Sequence, residues 1–121
     1  MAAEPVWITL TGVRATGFHG VLPEETRVGQ EFIVDVQLET AVDLTRDELD
    51  GTVNYAEVAE TVVRHITGEP LQLIETLAGR IADDIASIDA VTTVEVVVHK
   101  PHAPIPVPFT DVTITVIRSK Q

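Results

Sequence analysis

Val6, Ile8 and Leu10 alternate with Trp7, Thr9 and Thr11, and Phe32, Val34, Val36 and Leu38 alternate with Ile33, Asp35, Gln37 and Glu39. A period of two sends successive side chains to opposite faces of a pleated strand, so both segments are expected to be half-buried strands. Between them stand Gly17, His19-Gly20, Pro23, Glu24-Glu25 and Gly29. This stretch reads as a loop too long for a tight hairpin. From Tyr55 the spacing changes to three and four: Val58, Ala59, Val62, Val63 and Ile66 share one helical face, and Gly68 stops the helix. Pro70 fits the first turn of a second helix, whose apolar stripe runs through Leu73, Leu77, Ile81, Ile85 and Ile88. Gly79 interrupts that stripe; a mid-helix glycine costs about 1 kcal/mol against alanine, which predicts a close packing contact there. Val94, Val96 and Val98 open a third strand, and Val112, Ile114 and Val116 mark a fourth, with Thr113 and Thr115 on its other face. Pro101, Pro104, Pro106 and Pro108 between them exclude a regular ladder and stiffen the connection.

The element order strand, strand, helix, helix, strand, strand (ββααββ) predicts an α+β domain with two helices on one face of a sheet. Ile33, Val97 and Ile117 then leave apolar groups on the uncovered face, which predicts a partner subunit. No repeat or linker divides the chain, and 121 residues suit one domain, 1–121, with an adequate but not generous core.

A net charge of −11 argues against nucleic acid and anionic membrane surfaces, both of which select clustered Lys and Arg. A neutral or cationic small molecule is the easier partner. The absence of cysteine removes disulfides, thiol nucleophiles and Cys-based zinc sites together. With no basic, apolar leader at the N-terminus and no apolar run of spanning length, the expected location is cytoplasmic.

Four segments carry candidate chemistry: Glu24-Glu25, Asn54-Tyr55, Glu75 and His99-Lys100. His19, His65, His99 and His102 raise the question of zinc, but their spacing gives no set of three or four ligands, so no metal and no cofactor is expected. Lys100 ends an apolar strand, where a lysine either snorkels to solvent or is partly desolvated. At the reference pKa of about 10.4 only about one molecule in a few thousand is neutral at pH 7, and each unit of downward shift multiplies that by ten. Glu75 in a first helical turn is accounted for by the helix dipole alone, Asn54 by N-capping and Tyr55 by packing.

Taken together, Gly17-Phe18-His19-Gly20, Glu25, Gly29-Gln30, Val53-Asn54-Tyr55, Leu73-Ile74-Glu75 with Leu77-Ala78, and Lys100-Pro101 with Pro104-Ile105-Pro106 resemble the dihydroneopterin aldolase family over nearly the whole chain. The resemblance implies the tunnelling fold, in which a four-stranded antiparallel sheet joins its neighbours into a barrel-shaped ring with helices outside. Tetrameric rings then stack into a homo-octamer with pterin sites at subunit boundaries. It implies Glu75 as pterin anchor, helped by backbone groups near Val53, Asn54 and Ile74, and Lys100 as general acid/base. Tyr55 of a neighbouring subunit would be the proton relay, and Glu25 would orient a water or Lys100. The implied reaction belongs to folate biosynthesis and uses neither metal nor Schiff base: 7,8-dihydroneopterin is split to 6-hydroxymethyl-7,8-dihydropterin and glycolaldehyde, with epimerisation as companion activity. Two alternatives keep the fold, namely a dihydroneopterin triphosphate epimerase and a non-catalytic pterin- or purine-binding ring. Val107 and Gly79 depart from the family pattern; Val107 bears on the pocket rim and on stereoisomer preference.

Overall fold

The computed structural model describes residues 3–120. Strand β1 (Ala3–Gly17) pairs with β2 (Gln30–Asp43), β2 with β3 (Val91–His99), and β3 with β4 (Thr113–Ser119), all antiparallel, in the sheet order β1-β2-β3-β4. Helices α2 (Tyr55–Ile66) and α3 (Ile74–Ala86) cover one face. The period-two residues lie as the pattern predicts: Phe32, Val34, Val36 and Leu38 of β2 and Val94, Val96 and Val98 of β3 are buried against Val58, Val62 and Ile66 of α2 and Leu77, Ile81 and Ile85 of α3. Fully burying one such side chain contributes about 1.5–3 kcal/mol, so this interlayer supplies most of the drive to fold.

β1 runs further than its opening alternation indicates because its phase changes midway. The register slips between Leu10 and Val13, Gly12 takes φ 76°, and the inward set passes from Ile8 and Leu10 to Val13 and Ala15. An extra residue in one strand produces this reversal, and glycine provides the left-handed backbone it needs. The Gly12 amide that leaves the ladder donates to Asp35 Oδ1 at 2.8 Å.

Three local expectations are corrected. The first loop contains a short helix, α1 (Pro23–Val28), entered through Pro23; six residues are too few to display a helical period. Pro70 does not enter α3, which begins at Ile74, since Leu71 is held by both its backbone groups to the His19-Gly20 segment. Leu73 therefore precedes the helix and is half exposed instead of joining the buried stripe. Gly79 makes no close backbone approach: a Cβ there would stand 3.6 Å from the Arg118 guanidinium, an ordinary separation. Arg118 lies over that turn because its Nε donates to Asp83 at 2.8 Å.

The face opposite the helices exposes Trp7 and Ile117, and β1 and β4 are the outer strands of the sheet. No helix among the described residues is long and apolar enough to cross a membrane.

Candidate active site

Glu25 is the third residue of α1, and its carboxylate turns back to accept from the Leu22 amide at 3.2 Å, as a glutamate at that position of a capping box does. Its other oxygen faces the sheet, where it meets Lys100 Nζ at 2.7 Å and accepts from Gln30 Nε2 at 3.1 Å. Gly20 leaves room for this carboxylate: at φ 152° a Cβ there would fall 2.2 Å from Glu25 Oε1. Burial pushes the Glu25 carboxyl upward, but hydrogen bonds from Lys100, Leu22 and Gln30, with the charge of Lys100, outweigh it and hold the pKa below the usual value.

Lys100 reaches Glu25 because it continues the inward phase of Val94, Val96 and Val98 past the end of β3. Its amide donates to the Val112 carbonyl at 2.9 Å, which extends the β3–β4 pairing by one rung, and its ammonium lies 6.0 Å from the centroid of Phe32. The residue is only 8% exposed, so the lysine is desolvated and paired; it does not snorkel to solvent. The proline-rich connection then folds over it, with Ala103 N–H donating to the Lys100 carbonyl at 3.2 Å.

Glu25 and Lys100 line one cavity of about 340 Å³. Val21, Leu22 and Glu25 form one wall, Gln72 to Glu75 a second, and Lys100 with Ala103, Pro104 and Ile105 a third. An acceptor carboxylate at the rim, Glu75, therefore faces the same space as a buried ammonium–carboxylate pair. Such a cavity can bind a flat polar ring by its donor edge and move a proton at its inner end. Among the described residues, the lining of a cavity of about 250 Å³ beside Pro5, Thr40 and Ala41 contains no lysine or arginine.

Of the residues singled out in the sequence, Glu25, Ile74, Glu75 and Lys100 converge here, whereas Val53, Asn54 and Tyr55 do not line the cavity. Val53 belongs to the core, Asn54 caps α2 by accepting from the Ala56 amide at 3.0 Å, and Tyr55 is 60% exposed. Gln30 and Gln72 were not picked out individually; Gln30 stood only within the Gly29-Gln30 motif, and nothing local marks its contact with Glu25.

The histidines have different partners. His65 pairs with Asp84, and His19 is buried beneath the site. His99, next to Lys100 in sequence, points to the opposite sheet face, where its ring nitrogens each lie 2.7 Å from a carboxylate, of Asp35 and Asp111. Burial lowers the His99 pKa, but the two carboxylates outweigh it and raise it above its usual value. Among the described residues no group of three or more His, Asp or Glu is arranged to hold a metal ion.

Comparison with known proteins points to one family. The dihydroneopterin aldolase family profile matches residues 8–117. The dihydroneopterin aldolase of Streptomyces coelicolor is 50% identical over 115 residues, covering 93% of this chain and 97% of its own. Among solved structures, Escherichia coli dihydroneopterin aldolase in complex with neopterin superposes with a TM-score of 0.81 at 24% identity, covering 94% of this chain and 99% of its own. The Burkholderia dihydroneopterin aldolase bound to guanine superposes with a TM-score of 0.78 at 23% identity, covering 98% and 93%.

Proposed function

The chain belongs to the dihydroneopterin aldolase family, and from that premise we propose that it splits 7,8-dihydroneopterin into 6-hydroxymethyl-7,8-dihydropterin and glycolaldehyde in its Glu25–Lys100 cavity. The observation that carries this reading is the buried 2.7 Å contact between Lys100 and Glu25 in a cavity rimmed by Glu75.

The substrate contains its own electron sink. When the proton leaves the hydroxyl of the second side-chain carbon, the bond between the first and second carbons breaks, glycolaldehyde departs, and the electron pair passes into the C6=N5 imine to give an enamine. Protonation of the first carbon then yields the hydroxymethyl product. No Schiff base and no metal enter this sequence. Glu75 accepts from the ring amide and the exocyclic amino group as a charge-assisted bidentate pair, with backbone groups near Ile74 completing the ring edge. Neopterin and guanine, bound by the two structural relatives, both present an amide beside an amino group. Glu25 holds the Lys100 ammonium and takes one of its protons through their 2.7 Å contact; the neutral amine then accepts the hydroxyl proton and, as an ammonium again, protonates the first carbon. Recombination of the cleaved pieces on the other face gives epimerisation as a companion activity.

Tyr55, exposed and outside its own chain's cavity, serves as proton relay in the site of a neighbouring subunit, where Val53 and Asn54 add to ring recognition. The position of β1 and β4 as outer strands and the exposed face carrying Trp7 and Ile117 support assembly into tetrameric rings that pair as an octamer. Tyr55→Phe and Lys100→Ala subunits, each nearly inactive, should regain part of the wild-type rate when unfolded and reassembled together. No recovery in confirmed mixed rings would put both residues in one subunit's site.

The function is tested by incubating the purified protein with 7,8-dihydroneopterin, with and without prior dialysis against a strong chelator, and assaying glycolaldehyde and epimer together. Glycolaldehyde should form at the same rate in both. Epimer alone would identify an epimerase, neither product a binding ring, and a rate restored by zinc would contradict the electron-sink chemistry.

A further inference from the structure

Beneath the cavity lies a histidine that the proposed chemistry leaves unused. His19 is fully buried, and its ring is satisfied at both nitrogens: Nδ1 accepts from the Leu71 amide at 3.0 Å, and Nε2 donates to the Ile66 carbonyl at 2.8 Å. These two bonds require the neutral ring protonated at Nε2. Burial lowers its pKa, the Ile66 carbonyl opposes that, and the nearby charge of Lys100 adds to it. The neighbouring Gly20 amide returns a bond to the Leu71 carbonyl at 2.9 Å. Leu71 is thus held by both its backbone groups to the His19-Gly20 pair.

The position of this fastening matters. One residue after Gly20 begins the wall that carries Val21, Leu22 and Glu25, and one residue after Leu71 begins the wall that carries Gln72, Ile74 and Glu75. The His19 ring also stands edge-on to Phe32, with centroids 5.3 Å apart, and Lys100 Nζ lies over that same ring. Gly17 permits the approach, since a Cβ there would come within 2.7 Å of the Ile66 carbonyl oxygen. Glu75, Glu25 and Lys100, the groups of this chain's own cavity, are therefore linked to one another through His19.

We propose that His19 is a positioning residue: its Nδ1 bond to Leu71 sets the separation between the Glu75 wall, which anchors the ring, and the Glu25–Lys100 wall, which acts on the side chain. The inference rests on the aldolase reading for the identity of the ligand. A histidine serving only the core would contribute stability through both of its bonds alike. A positioning histidine acts through the Leu71 bond in particular, since that bond ties one wall to the other, whereas the Ile66 bond reaches the end of α2.

Two substitutions separate these cases. His19→Asn puts an acceptor oxygen near the place of Nδ1 and loses the donor to Ile66; His19→Gln can present a donor near the place of Nε2 and loses the acceptor for Leu71. Both should lower the melting temperature. His19→Asn should keep kcat for dihydroneopterin cleavage, and the Kd for 6-hydroxymethyl-7,8-dihydropterin, within about threefold of wild type. His19→Gln should lower kcat by about 10 to 10² and weaken product binding about tenfold, since displacement of about 1 Å in a reacting pair has effects of that order. Equal losses in both variants, or a folded His19→Gln with wild-type kcat and Kd, would overturn the proposal. A wild type that binds the pterin without cleaving it would sink the aldolase reading, and the Kd comparison would still decide the role of His19. A wild type that neither binds nor cleaves would sink both.

Discussion

Lys100→Ala should lower kcat for dihydroneopterin cleavage by about two to four orders of magnitude, the range for removing a positioned acid/base, with little change in affinity for the pterin product. The expectation follows from where the ammonium sits. It lies at the inner end of the cavity, 2.7 Å from Glu25 Oε2 and over the ring of Phe32, among the groups that would face the side chain and not the ring edge. Removing it leaves Glu25 with two of its donors, the Leu22 amide and Gln30 Nε2, so the carboxylate is not stranded. Some stability is still lost, because one half of a buried ion pair has gone. Single-turnover cleavage below the variant's melting temperature separates the chemical defect from the folding defect. A Lys100→Ala enzyme that turned over within tenfold of wild type would remove the lysine from the proton path.

Glu75→Ala should act on the other side of the ledger of binding and chemistry. Glu75 stands in the first turn of α3 with its side chain open to the rim of the cavity. On the proposed reading the bound pterin would lose its bidentate acceptor, leaving two ring donors desolvated without a partner. An unsatisfied buried group costs about 1 to 3 kcal/mol, so product affinity should fall roughly 5- to 150-fold, and further where the lost charge contributes. The variant should fold normally, since the carboxylate makes no contact on which the core depends. The rate of a saturated Glu75→Ala enzyme should fall less than that of Lys100→Ala, because the proton-moving group is still in place.

How much of this was legible in the sequence depended on the range of the interaction. The faces of β2, β3, α2 and the middle of α3 follow from period alone, because burial selects Phe32, Val34, Val36 and Leu38, or Val58, Val62 and Ile66, at fixed spacing. The extent of β1 was hidden by the bulge at Gly12, where the inward set changes parity. The start of α3 was misplaced because the constraint on Leu71 comes from His19, a residue distant in the chain, and outweighs the preference of Pro70 for a first helical turn. The site shows the same division. Glu25, Glu75 and Lys100 could be nominated from their types and from the family resemblance, but their convergence depends on how α1, α3 and the end of β3 pack. His99 shows the limit of adjacency: it stands beside Lys100 in the chain, yet strand alternation turns it to the other face, toward Asp35 and Asp111. Val53, Asn54 and Tyr55 carry family motif positions but do not line their own chain's cavity.

The division of labour within the cavity is the central claim, and one titration addresses it most directly. 6-Hydroxymethyl-7,8-dihydropterin should be titrated calorimetrically into wild-type, Glu75→Ala and Lys100→Ala proteins at the same subunit concentration. The account predicts near-wild-type affinity for Lys100→Ala and a loss of roughly 5- to 150-fold for Glu75→Ala. Normal binding by Glu75→Ala together with abolished binding by Lys100→Ala would contradict it, since the lysine would then be the anchor and the glutamate would have no part in recognising the ring.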